Sequence, residues 1–171
     1  MDNKQIVKDF YISRERRKGV TPNSNDENLR VIDCCAIWNL AQELSENDFT
    51  NLVTVDCNES KALIKQGRLL KNIADAANQQ LLGQWESGRN KNYIEKLLNQ
   101  LEEDISSMEQ GTIILREKVN GEPDAGSYYV QDGNHRIIAA GIYWLRNGTM
   151  PKLTFHVGRS VDQKLFFEKS Q

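Results

Sequence analysis

Cysteine is scarce and badly placed for cross-linking. The 171-residue chain has three, Cys34, Cys35 and Cys57, two of them adjacent and none in a Cys-x-x-Cys pair. An odd count with that spacing excludes the disulfide framework of small secreted domains and leaves three reduced, mostly buried thiols as the expectation. Histidine is scarcer still, with only His135 and His156, so a zinc site built from Cys and His is not expected. No apolar run approaches the roughly 20 residues that cross a bilayer. The first nineteen residues have no apolar core of signal-peptide length. Excess positive charge is also missing. The formal net charge is -2, which rules out the whole-molecule basic field of a non-specific nucleic-acid binder while leaving room for a local patch. These absences point to a cytoplasmic protein with no membrane partner. The length suits one ordinary domain with its own core.

What is present divides into a helical front and a more strand-like back. Residues 1–28 are polar, carry a basic run at 14–18, and end in Thr-Pro-Asn-Ser-Asn-Asp-Glu-Asn, a loop rich in helix-capping residues. From Leu29 to Leu44, apolar residues Ile32, Ala36, Ile37, Leu40, Ala41 and Leu44 recur at spacings of three and four, which predicts an amphipathic helix. Ser45 with Asp48 has the form of a capping box. The alternating, β-branched segment 51–57 predicts a short strand. Periodicity predicts a helix from Asn58 or Ser60 through Leu81, a break over 86–92, and another helix from Ile94 to Ile105.

After Gly111 the period changes. Residues 112–119 and 127–131 read as two strands joined by a hairpin around Asn120-Gly121. Asp132-Gly133-Asn134 breaks the second strand. A mostly buried helix is expected from His135 to Arg146, stopped by Asn147-Gly148. A strand over 152–157 and a short helix over 160–169 complete the chain. The fold class expected is α+β.

Chemistry is expected at the turn 132–136. A helix N-terminus presents unpaired N–H groups and a positive dipole end, and both attract anions. Gly133 has no Cβ to obstruct a phosphate. Arg136 offers a forked donor, Asn134 a neutral one, and His135 a donor or proton shuttle. Asp132 is placed to hold Mg²⁺ or act as a base. The same residues also serve simply to begin a helix. Arg116, Glu117, Arg159 and Ser160 lie near strand ends and are further candidates for the site.

The run Gly126-Ser-Tyr-Tyr-Val-Gln-Asp-Gly-Asn-His-Arg-Ile-Ile-Ala-Ala140 resembles the core signature of the ParB/sulfiredoxin superfamily, a strand followed by an Asp-Gly-x-His-Arg-like turn and a helix. The likeness is good over 93–158, thin over 51–92 and absent over 1–50. It implies a small mixed sheet packed with helices over 51–171, preceded by a helical N-terminal extension over 1–50. It also implies a nucleotide, ATP or CTP with Mg²⁺, whose phosphates rest on Gly133, Asn134, His135 and Arg136. Asp132 and His135 would be the catalytic pair, with Asp132 also the metal contact.

Asn134 stands where sulfiredoxins need cysteine, and no DNA-binding domain follows the turn as it does in partitioning proteins. The Asp-Gly-His-His-Arg turn of the kinase-like members differs only at Asn134, so a phosphotransferase or NTP hydrolase is the implied activity. Fic-type AMP-transferases share Asp-Gly-Asn, but their catalytic His position would fall on Tyr128. Two alternatives stay open. One is a nucleic-acid-directed nuclease or regulator using the same turn on a backbone phosphate, with the basic segment 14–18 helping it dock. The other is a catalytically inactive interaction protein that binds a protein partner through residues 1–50.

Overall fold

The computed structural model of the chain describes residues 1–54, 67–82, 88–103, 111–123 and 126–168. Within them the protein is α+β, with seven helices and one four-stranded mixed sheet.

The chain opens with α1 (Asn3–Arg17), started by Asp2, whose side chain accepts from the Gln5 N–H. Val7, Tyr11 and Arg14 are its buried residues, a narrow stripe at spacings of four and three. Helix α2 (Glu27–Cys34) is capped by Asp26. It then stops, and residues 35–42 form strand β1 (Cys35–Gln42). The amphipathic helix expected over 29–44 is therefore corrected over 35–42.

The physical reason lies in sheet pairing. Cys35 and Trp38 are buried while Ile37 is 52% exposed, which breaks the helical stripe. A Cβ on Gly158 would lie 2.6 Å from Cys35 Sγ and 2.8 Å from the Trp38 ring, so only glycine lets both side chains rest on that strand. Long-range pairing outweighs local periodicity here. Residues 1–50 are consequently not helical throughout, because β1 is hydrogen-bonded into the sheet.

Ser45 caps the short α3 (Glu46–Thr50) by accepting from the Asp48 N–H. Of the strand expected at 51–57, Val53 forms isolated bridges to Leu69 and Tyr129; residues 55–57 lie outside the described residues, as does the expected helix start at Asn58 or Ser60. Helices α4 (Leu70–Leu82) and α5 (Gly88–Glu103) follow. The break expected over 86–92 is corrected from Gly88 onward, where α5 has already begun; 104–110, with Ile105, lie outside the described residues.

Strands β2 (Ile113–Glu117) and β3 (Tyr128–Asp132) pair antiparallel, and α6 (Asn134–Asn147) leaves β3 through Gly133. Gly148, at φ +71, ends α6 as its sequence predicts. Strand β4 (Phe155–Val161) begins later than expected, and α7 (Gln163–Glu168) closes the described chain.

The strand order is β1-β4-β2-β3, with β4 parallel to β2 and antiparallel to β1. Alternation along β2 sends side chains to two cores. Ile113 and Leu115 join the larger one with α4, α5 and α6, whereas Ile114 packs with Val7, Tyr11, Ile32, Cys35 and Trp38 of α1, α2 and β1. Helices thus cover both sheet faces, and the first turn of α6 emerges beside β2.

Candidate functional site

The turn after β3 is built around one backbone conformation. Gly133 is the N-cap residue of α6, at φ +100 and ψ +27. A left-handed dihedral of this kind favours glycine. An added Cβ would sit 3.1 Å from Ile113 Cγ1. The bare side of Gly133 therefore faces the core residue Ile113. The dihedral and this packing account for the glycine, and clearance for a phosphate is not needed to explain it. The Ile137 N–H donates to the Gly133 carbonyl, closing the first helical turn.

Asp132 does not stand open to solvent. Its Oδ2 lies 3.0 Å from Arg14 Nη1, and the two side chains are 13% and 8% exposed. Arg14 also donates to the Thr112 carbonyl and lies against the Phe10 ring, 5.8 Å from its centroid. The Asp132 contact is one of charge, since Oδ2 accepts no hydrogen bond, and Arg14 Nε has no partner either. Each unmet buried group of this kind costs about 1–3 kcal/mol. With its carboxylate against a guanidinium, Asp132 does not fit the role of ligand for a resident magnesium ion. No group of three or more His, Cys, Asp or Glu residues able to hold a metal occurs among the described residues.

What the turn adjoins is a cleft of about 530 Å³ between α1, α5 and the start of α6. Five of its lining residues are basic: Arg14, Arg17 and Lys18 from α1, Lys96 from α5 and Arg136 from α6. No acidic side chain lines it among the described residues. Lys18 is shared with Glu15, at 2.7 Å. Arg17, Lys96 and Arg136 have no ion-pair partner among the described residues. Phe10 and Tyr93 add aromatic faces. His135 reaches the same corner through Tyr93, edge to face, with ring centroids 5.2 Å apart.

The expected site residues thus separate. Arg136 lines the cleft, His135 abuts Tyr93 on its wall, Gly133 and Asn134 shape the helix start, and Asp132 anchors Arg14. The α1 cations are expected from the sequence only as a docking segment under the nucleic-acid alternative, not as neighbours of the turn. The basic run at 14–18, together with the Val7–Tyr11–Arg14 spacing, is the signal that marks them.

Arg116, Glu117, Arg159 and Ser160 do not join the turn. The register pairs Glu117 with Tyr128 at one end of the β2–β3 ladder and Ile114 with Asp132 at the other. Arg116 is buried and holds Glu122 through two contacts of 2.7 and 2.8 Å, between the rings of Tyr129 and Phe166. Arg159 donates to Glu117 at 3.0 Å, and the Ser160 N–H donates to the same carboxylate. These are structural ties at the far end of the sheet.

Neither thiol among the described residues lines the cleft, and Cys57 lies outside them. Cys34 and Cys35 are buried and not disulfide-bonded, and burial pushes the Cys35 thiol up to about 12. No helix among the described residues is long and apolar enough to cross a membrane. Comparison with protein-family models, with curated proteins and with solved structures gives no match.

Proposed function

We propose that this chain is a cytoplasmic nucleotide-binding enzyme of ParB/sulfiredoxin-like type, a kinase-like phosphotransferase or an NTP hydrolase. It lays the phosphates of ATP or CTP against the first turn of α6. The observation that carries this reading is the cleft, where five basic side chains from three helices face one space with no acidic side chain among its described lining residues. Arg136 supplies a forked donor beside the positive end of a 14-residue helix. Catalysis at such a site is mostly positioning and charge stabilisation of the transferring phosphoryl group. With Asp132 engaged by Arg14, His135 is the group left on the turn for proton transfer.

Thermal melts with ATP and with CTP, each with and without Mg²⁺, test the reading. A nucleotide-dependent rise in Tm that Arg136→Ala abolishes is the expected result. No rise with either nucleotide overturns it. A rise caused by oligonucleotides but not by mononucleotides would transfer the site to nucleic acid.

A second reading is favoured by the Arg14–Asp132 contact itself, which takes the turn's carboxylate out of play. The cleft then binds nucleotide without turning it over. Nucleotide binding without phosphate release or phosphoryl transfer would select this alternative.

A further inference from the structure

We infer that the cleft takes a polyphosphate chain of at least two phosphoryl groups, and that α1 grips its outer end, with Asp132 acting as a positioning residue for Arg14. This rests on the nucleotide reading above and adds the ligand's length and the element that measures it.

Charge is the first ground. One phosphate monoester carries about two negative charges at neutral pH. Arg17, Lys96 and Arg136 already exceed that without an ion-pair partner of their own among the described residues, and Arg14 and Lys18 stand beside them. The walls are overcharged for a single phosphate and matched to a longer chain.

Placement is the second ground. Arg136 marks the α6 end of the cleft, while Arg14, Arg17 and Lys18 belong to the C-terminal end of α1, so the cations are spread over separate walls. A volume of about 530 Å³ accommodates a ligand that touches them all. Arg14 is the third ground. It is 7% exposed, lines the cleft, and keeps an unbonded Nε although it touches both Asp132 and the Thr112 carbonyl. Arg116 also has an unbonded Nε, but Arg14 differs from it in lining the cleft, where a bound anion can reach the guanidinium. None of these α1 residues lies in the segment that carries the family resemblance.

The test is calorimetric titration of the full chain, without metal, using AMP, ATP and inorganic tripolyphosphate. ATP and tripolyphosphate should bind, with AMP at least about tenfold weaker. The double variant Arg17→Ala/Lys18→Ala changes two exposed side chains, so its Tm should stay near that of the parent. It should weaken ATP and tripolyphosphate at least about tenfold and leave AMP within about twofold, a split that loss of fold would not produce. Lys96→Ala, on a different helix, should show the same split. Asp132→Asn should weaken the long anions and spare AMP.

No binding of any of the three probes overturns this inference, and with no melting shift by ATP or CTP, with or without Mg²⁺, the nucleotide reading falls too. ATP binding that all these variants leave unchanged overturns only the inference. So does AMP binding as tightly as ATP, or tripolyphosphate failing to bind where ATP succeeds.

Discussion

Arg14 Nη1 stands 3.0 Å from Asp132 Oδ2, joining the last turns of the first helix to the residue that ends β3. The contact converts the most obvious catalytic carboxylate of the turn into an anchor for a helix remote in sequence. Removing one member leaves the other charge largely buried and alone. Asp132→Ala should therefore lower stability by about 3 kcal/mol in urea denaturation. The paired replacement Arg14→Met/Asp132→Leu should cost less than Asp132→Ala, because it buries no uncompensated charge. Equal costs would mean the pair contributes only packing.

Gly133 offers a separate test of what the turn glycine is for. Its φ of +100 and the 3.1 Å approach to Ile113 Cγ1 predict that Gly133→Ala destabilises the ligand-free protein by about 1–3 kcal/mol. If the glycine served only to admit a phosphate, the same variant would melt like the parent and lose affinity alone.

His156 predicts a pH dependence. It is buried in β4, and its Nδ1 accepts from the Ala41 N–H at 3.2 Å, holding Ala41 at φ +49. Desolvation lowers its pKa below the ordinary 6.5. Between that lowered value and 6.5 the unfolded chain binds more protons than the folded one, so stability falls as pH falls through this window. Above 6.5 both states are neutral and the contribution is intact. Urea midpoints measured from pH 8 to pH 5 should decline below 6.5, and His156→Gln should flatten that part of the decline.

Cys35 should be chemically quiet. A thiol raised to about 12 by burial is almost wholly protonated at neutral pH. Site-resolved alkylation of the native protein at pH 7.5 should leave Cys34 and Cys35 unmodified until denaturant is added. Rapid labelling of either would show that α2 and β1 open readily.

Much of the back half is legible in the sequence because its signals are local. Asn147-Gly148 stops α6 through a left-handed cap, and Asn120-Gly121 turns the β2–β3 hairpin; both are decided within a few residues. β1 is different. Its apolar residues imitate a helical stripe, and what makes it a strand is Gly158, far along the chain, which leaves room for Cys35 and Trp38. The site divides the same way. Arg136 is visible beside a helix start, whereas α1's part depends on Arg14 meeting Asp132 and on Lys96 arriving from α5, neither of which any periodicity encodes.

The strand order β1-β4-β2-β3 also sets a timetable for the nascent chain. β4 occupies the place between β1 and β2, yet it is the last of these strands to leave the ribosome. Until residues 155–161 emerge, β1 has no neighbour to pair with, and its exposed edge is open to wrong partners. A stalled chain released before that point would hold the β2–β3 hairpin but lack the strand that ties β1 to it. For this protein, completing synthesis through β4 is the step that closes the four-stranded sheet.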